Sequence, residues 1–402
     1  MAGKIRIGLS LSLTGEYAPM GRQADAALSL FASDTNSAGG IRIAGERREL
    51  EIECFDDASN SERCAEIYRS LCGENRVDLL FGPYSSGLAR VAAPLAEQAG
   101  MLFVNHGGAD DDIFSRHLRL IVGVLSPAGD YFNGFVRLVA GLKLWRKRIA
   151  IVRSSGGFAE AIANGIEREA NERYARRKGV RIRVKYAGKF DPESTPAKLF
   201  PALRRNRVNA LVSAGSYEYD LAVMRAVTQS SLNLPVLGCV AAGVEKFRID
   251  LGEDAEGLVG PSQWEDQLQF RPEIGPTPRE FIRSMRARSP NIACDYPAAQ
   301  AYAAALVTKA ALESATQIWA QDLAGTGVTV NAILPGGATL TGMIPASYPE
   351  ADRKREISLF PNSRHKGRQV GRQRTALTCR AGHTDAVEER IGYGRQLRNA
   401  GV

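Results

Sequence analysis

Ile5, Ile7, Leu9 and Leu11 alternate with Lys4, Arg6, Gly8 and Ser10, and Leu50, Ile52 and Cys54 alternate with Glu49, Glu51 and Glu53. A period of two predicts β-strands, because successive side chains of an extended chain point to opposite faces. Between these stretches the period lengthens. Ala24, Ala27, Leu28, Phe31 and Ala32 fall at i, i+3, i+4, i+7 and i+8, predicting a helix with one apolar stripe that ends at Gly39 and Gly40. The alternation continues with a helix after Asn60, a strand over 77–82, a helix from Ser86 and a strand over 101–104. Strands separated by helices form a parallel sheet covered on both faces.

A second series comes next, with a helix from Pro127, a strand over 148–152, a long helix to about Lys178, and strands near 180–186, 209–213 and 235–239. It repeats the first without a Gly/Ser-rich linker, so two lobes joined by short crossovers near 123–126 and 260–263 are expected. The fold class is α/β, each lobe a parallel sheet flanked by helices. Residues 1–122 form the first part of lobe one, 123–260 lobe two, and 261–306 a return to lobe one.

The 402 residues are 44% apolar and 24% charged, an ordinary globular balance. The net charge of +8 hints at nucleic acid only until it is located: residues 353–402 hold 12 Lys and Arg against 4 Asp and Glu, which is all of it. A basic run of that kind is a solvated tail, and no nucleic-acid partner is expected. The first fifteen residues contain no apolar run of the length that a leader or membrane anchor needs, so the chain as written is expected in the cytoplasm, with no insertion into a membrane. The six cysteines, at 54, 64, 72, 239, 294 and 379, show no C-x-x-C pair and read as free or buried thiols. With four histidines in no ligating cluster, neither a metal nor a cofactor is expected.

Two turns carry candidate chemistry. "FGPYSSG" (residues 81–87) is a strand end, a Gly-Pro turn and two hydroxyls, Ser85 and Ser86, opening a helix at the carboxyl edge of the sheet. Open α/β folds bind ligands at that edge, and free N–H groups with the helix dipole favour a carboxylate. The same serines would equally serve as helix caps. "NHGGADDD" (residues 105–112) succeeds the next strand: Asn105 begins the turn, His106 is a possible donor or a structural residue, Gly107 and Gly108 allow close backbone approach, and the aspartates could cap a further turn.

The stretches "GLSLSLTGEYAPMGRQADAALSLFASDTNSAGGI", "DDASNSERCAEIYRSL", "DLLFGPYSSGLARVAAPLAEQAGMLFVNHGGA" and "DYPAAQAYAAAL" resemble the periplasmic solute-binding proteins of branched-chain amino acid and amide ABC transporters over residues 4–306. The resemblance implies a two-lobed type I periplasmic-binding-protein fold closing on one small ligand, no catalysis, a periplasmic location and delivery to an ABC permease. It also implies ligand contacts from Met20, Phe158 and Tyr217, which by pattern alone would read as core. Where relatives that bind branched-chain amino acids carry a hydroxyl for the ligand's ammonium, this chain has Ala109. Where they carry a carboxylate, it has Val240, Ala241 and Ala242. The implied ligand is a small carboxylate, amide or amino-acid-like solute, with the usual partners of an α-amino acid's ammonium missing. A cytoplasmic ligand-sensing module on the same fold is the second reading.

Residues 307–345 instead resemble the back half of a short-chain dehydrogenase, matched by Lys309, Asn331, Pro335 and Gly336. Ala305 stands where that family has its tyrosine, and Pro19 interrupts the only candidate phosphate turn, so this segment reads as a fragment without its chemistry. The closing elements of lobe two are expected to be missing. The basic tail, 346–402, is expected to be disordered, with residues 357–361 its one plausible strand.

Overall fold

The structure, a computed structural model, describes residues 4–43, 46–73, 76–115, 118–144, 147–173, 182–189, 196–322, 329–333 and 376–380. In the first lobe the chain runs β1 (Ile5–Leu11), α1 (Ala18–Ser37), a hairpin of β2 (Ile41–Ile43) and β3 (Glu46–Arg48), β4 (Leu50–Asp56), α2 (Ser61–Leu71), β5 (Leu79–Phe81), α3 (Ser86–Gln98), β6 (Phe103–Asn105), α4 (Asp111–Ser115) and β7 (Ile121–Gly123). Its sheet has the order β4-β1-β5-β6-β7, all parallel, with Ile7 opposite Ile52 and Leu79.

The interior strand β1, between β4 and β5, is buried on both faces. Its small positions explain how. A side chain at Gly8 would strike Leu71 of α2 at 2.7 Å, and Ser10 turns its hydroxyl to Asp57 at 2.7 Å. Asn60 caps α2 by accepting from the Arg63 amide at 2.9 Å, the stop-start signal read from the sequence. The hairpin, β7 and α4 have no counterpart in the predicted elements. Each is three to five residues long, too short to show a period.

The second lobe comprises a 3₁₀ turn (Ala128–Asp130), α5 (Asn133–Gly141), β8 (Lys147–Arg153), α6 (Gly157–Arg168), β9 (Ile182–Lys189), α7 (Pro196–Arg205), β10 (Ala210–Ala214), α8 (Tyr217–Thr228), β11 (Val236–Cys239) and α9 (Glu245–Leu251). The helix expected from Pro127 is thus a 3₁₀ turn followed by α5, and α6 continues through a π turn to Arg173. Its sheet order is β11-β10-β8-β9, again parallel. Among the described residues it has four strands to the first sheet's five, and Val259 adds a single bridge beside Gly238 on β11.

The chain then returns to the first lobe through α10 (Pro278–Arg288) and α11 (Tyr296–Asp322). Thr277 and Glu280 form a capping box at the start of α10. Phe31, Tyr302, Phe281 and Trp264 pack ring to ring at centroid distances of 5.3, 4.9 and 5.8 Å, tying α11 and α10 to α1. Ala298, Ala301, Ala304 and Ala305 complete that core.

One helix therefore runs unbroken through residues 302–308, where the dehydrogenase-like stretch begins. Position 305 faces the core, and Lys309 pairs with Glu313 at 2.7 Å one turn on. Asn331 lies in β12 (Thr329–Ile333), which pairs antiparallel with β13 (Ala376–Arg380). Pro335, Gly336 and the stretch 357–361 lie outside the described residues, as does the tail apart from β13. The five cysteines whose side chains are described are free thiols. Among the described residues no helix is long and apolar enough to cross a membrane.

Candidate functional site

The two turns singled out in the sequence lie side by side at the carboxyl edge of the first sheet and are bonded to each other. Ser85 leaves β5 with φ of +110° and caps α3 by accepting from the Leu88 amide at 3.3 Å. A non-glycine residue in that region carries strain of about 1–3 kcal/mol, which surrounding contacts must hold in place. The second lobe makes the same move with Gly156, φ +116°, just before α6.

Ser86 is buried, and its Oγ accepts from the amides of Ala109 at 2.9 Å and Asp110 at 3.0 Å. Both lone pairs of the hydroxyl are thereby used, leaving its one O–H to donate. The sequence left cap and ligand contact open for this pair. In the structure Ser85 is the cap, and Ser86 clamps the neighbouring turn with a donor to spare.

Asn105 is wholly buried and holds its own turn. Its Oδ1 accepts from the amides of Gly107 (3.3 Å) and Gly108 (2.9 Å), and its Nδ2 donates to the Gly108 carbonyl at 2.7 Å. The glycines are required by packing between the turns: a side chain at Gly107 would meet the Pro83 carbonyl oxygen at 2.5 Å, and one at Gly108 the Ala89 Cβ at 2.3 Å. Their close backbone approach is thus to protein. His106 is 1% exposed, and burial pushes its imidazole down to about 4, against the opposing pull of the Gly82 carbonyl, so it is neutral near pH 7. Ala109 packs into the core of lobe two and accepts from the Ala128 amide at 2.7 Å.

Two of the three aspartates after Ala109 join the lobes. Asp110 accepts from the Asp112 amide at 3.1 Å at the start of α4 and pairs with Arg90 at 3.2 Å. A side chain at Gly157 would reach the Asp110 carboxylate at 2.2 Å, so this lobe-one anion lies against the N-terminus of α6 in lobe two, where the helix dipole favours it. Asp111 accepts from the Gly129 amide at 2.9 Å, and burial pushes its carboxyl up.

Of the residues expected to close over a ligand, Met20 is buried in the first turn of α1. Phe158 is half-buried in the first turn of α6 and meets Tyr131 edge-on at 5.8 Å. Tyr217 belongs to the core of lobe two: it packs edge-on against Phe247 at 5.7 Å, and its hydroxyl donates to Asp250 at 2.6 Å.

Pattern reading missed an aromatic group that gathers between the lobes. The Tyr84 and Tyr296 hydroxyls are 2.6 Å apart, Tyr17 meets Tyr84 edge-on at 6.4 Å, and Tyr131 lies close enough to raise the cost of ionising Tyr84, as Tyr296 does for Tyr131. Burial holds all three of these phenols neutral. Gln263 ties the two crossovers together, accepting from the Ser126 amide at 2.7 Å and donating to the Tyr131 hydroxyl at 2.5 Å. These residues are spread from 17 to 296, and only their positions next to element ends would have drawn attention to them.

A sequence model described as periplasmic binding protein matches residues 4–352. The chain belongs to this family. Leu/Ile/Val-binding protein homolog 8 of Brucella abortus (strain 2308) is 29% identical over 119 residues, 29% of this chain and 28% of that protein. Homolog 7 of Brucella melitensis is 27% identical over 146 residues, 36% of this chain and 34% of the relative. These matches therefore span about a third of the relatives' length. Among solved structures, the branched-chain amino acid transporter substrate binding protein of Streptococcus pneumoniae in complex with isoleucine has a TM-score of 0.62 at 18% identity, covering 80% of this chain and 88% of that one. A solute binding protein of R. palustris in complex with benzoate has 0.61 at 17%, covering 78% and 82%. At these identities the likeness shows the fold: type I periplasmic binding proteins, which are solute binders and not enzymes.

In this periplasmic binding protein each lobe has a fully buried carboxylate that holds loops at its strand ends. Asp57 accepts from the hydroxyls of Ser10 (2.7 Å) and Ser12 (2.5 Å) and from the Ser59 amide (3.0 Å). In lobe two, Asp220 accepts from the Ser213 hydroxyl at 2.6 Å and from the Ala241 amide at 2.9 Å, and burial pushes its carboxyl up to about 7. The loop Val240–Gly243 has no acidic side chain of its own, but the Asp220 carboxylate, from α8, holds it from below.

Proposed function

We propose that this periplasmic binding protein captures a small carboxylate or amide between its lobes and delivers it, in the periplasm, to an ABC permease. The observation that carries this reading is Ser86. Its acceptor capacity is spent on Ala109 and Asp110, which leaves its O–H as a single donor in the first turn of α3. The Ser86 and Gly87 amides of that turn have no acceptor among the described residues, and with the helix dipole they favour an anion. The names of the Brucella relatives and the isoleucine and benzoate held by two structural neighbours support it, since both solutes present a carboxylate. We read Asn105, Gly107 and Gly108 as the scaffold of the ligand's floor, His106 and Ala109 as its neutral lining, Met20 and Phe158 as its walls, and Tyr217 as support from the core.

A thermal-shift screen of small carboxylates and amides tests the reading: a bound solute at a hundredfold its Kd adds about 2.7 kcal/mol of stability, and a flat screen overturns it. Ser86→Ala is expected to weaken the best hit roughly tenfold or more, the loss of one hydrogen bond to a charged group. It should also lower the melting temperature, because the Ala109 and Asp110 amides lose their acceptor. Unchanged affinity in calorimetry would remove Ser86 from the site.

We read residues 307–345 as a dehydrogenase-like segment joined to the binding lobes, on the four matching residues named above. With Ala305 buried in the core and Lys309 paired to Glu313, titration with NADH is expected to give no saturable fluorescence change.

A further inference from the structure

We infer that the solute is an aromatic or arylalkyl carboxylate without an α-ammonium group. The inference rests on the binding function proposed above and names its substrate class.

Two observations carry it. The first is the nature of the walls. On the side of lobe one Tyr17 and Tyr84 make an edge contact at 6.4 Å and Tyr84 shares its hydroxyl bond with Tyr296; on the side of lobe two Tyr131 and Phe158 make one at 5.8 Å, and Tyr131 lies near Tyr84 and Tyr296. Flat rings of this kind offer a planar solute edge-to-face and offset contacts that an aliphatic chain cannot make. The Tyr84–Tyr296 hydroxyl pair and the Tyr131 hydroxyl supply polar points among them.

The second observation is where the carboxylates are spent. An α-ammonium buried beside these turns needs an anionic partner. Both oxygens of Asp57 and of Asp220 are bonded to protein donors. Asp110 is held by Arg90 and the Asp112 amide, Asp111 by the Gly129 amide, and Asp295 by Gln23 and the Glu245 amide. Of these, Asp111 alone keeps an oxygen without a protein donor, and the Arg168 guanidinium beside it already balances its charge; the others are spent on protein donors. A ring face alone can attract an ammonium, but the donors that converge here, the α3 amides and the Ser86 hydroxyl, repel one. The matching solute carries its charge as a carboxylate at one end and a ring at the other.

Calorimetry on the full chain with two matched pairs tests this: 3-phenylpropanoate against phenylalanine, and 4-methylpentanoate against leucine. Each pair differs only in the ammonium, and the pairs differ in the ring. The expected result is that 3-phenylpropanoate binds at least tenfold more tightly than both phenylalanine and 4-methylpentanoate. Phe158→Leu should then lower the affinity for 3-phenylpropanoate about tenfold and that for 4-methylpentanoate by clearly less. If phenylalanine or leucine binds as tightly as its deaminated partner, the inference is overturned while the binding function stands. Equal affinity for the aromatic and aliphatic acids, or an unaltered Phe158→Leu, overturns the aromatic part. If none of the four binds and the screen of carboxylates and amides is also flat, the binding function fails with it.

Discussion

Gly165→Ala is expected to destabilise the second lobe by about 3 kcal/mol or more, although alanine is the better helix former by about 1 kcal/mol. Gly165 lies inside α6, and a Cβ there would sit 1.8 Å from the Gly129 carbonyl oxygen and 2.8 Å from the Gly129 Cα. Both obstacles are backbone. Relief requires α6 to move away from the 3₁₀ turn, breaking the contacts of Ile162 and Ile166 with the lobe-two core and the Arg168 bond to the Gly129 carbonyl. Gly134, in α5, has nothing within 4 Å of its Cβ direction, so Gly134→Ala should leave stability unchanged or slightly raised. Urea melts of the two variants check the sign. Equal, small effects would mean that α6 does not pack on the turn as described.

The second large effect belongs to Asp220. Asp220→Ala leaves the Ser213 hydroxyl and the Ala241 amide buried without their acceptor, and about 3 kcal/mol of stability should be lost, with the loop Val240–Gly243 loosened. Asp220→Asn keeps one acceptor and one donor there and should be milder. The two variants also separate a pH effect. Burial raises the folded-state carboxyl to about 7, above its value of about 4 in the unfolded chain. The folded state therefore holds the proton more tightly, and this group's contribution to stability is greatest below about pH 4 and falls as pH rises through 7. His106 runs the other way: its folded value of about 4 lies below the unfolded 6.5, so acidification across that interval destabilises. Subtracting the Asp220→Asn profile from that of the wild type isolates the carboxyl. A difference that is flat between pH 4 and 7 would mean that Asp220 stays ionised throughout.

The contrast between these two residues and those read from pattern shows where sequence stops. Ile5 to Leu11 announced a strand, Ala24 to Ala32 a helix, and Asn60 a cap, because each signal is local: side chains two, three or four positions apart determine one another's faces. The succession of such elements gave a parallel α/β fold in two lobes. The turns at 81–87 and 105–112 were legible for the same reason, since Gly, Pro and Ser at a strand end have local consequences.

What those turns do was decided by tertiary structure. Ser86 became a clamp only because Ala109 and Asp110 are folded against it, 23 and 24 positions on. Tyr84 meets Tyr296 across 212 residues, and Gln263 finds Ser126 across 137. Tyr217, read from resemblance as a ligand contact, has its hydroxyl committed to Asp250 on the neighbouring helix. Asp220 offers no signal at all in its own stretch; it acquires its role, and its raised carboxyl, from a loop that reaches it through a different strand. Period and capping chemistry act within a few residues and so are written in the chain, whereas burial, long-range hydrogen bonding and the meeting of aromatic rings depend on crossovers that bring distant elements to one sheet edge.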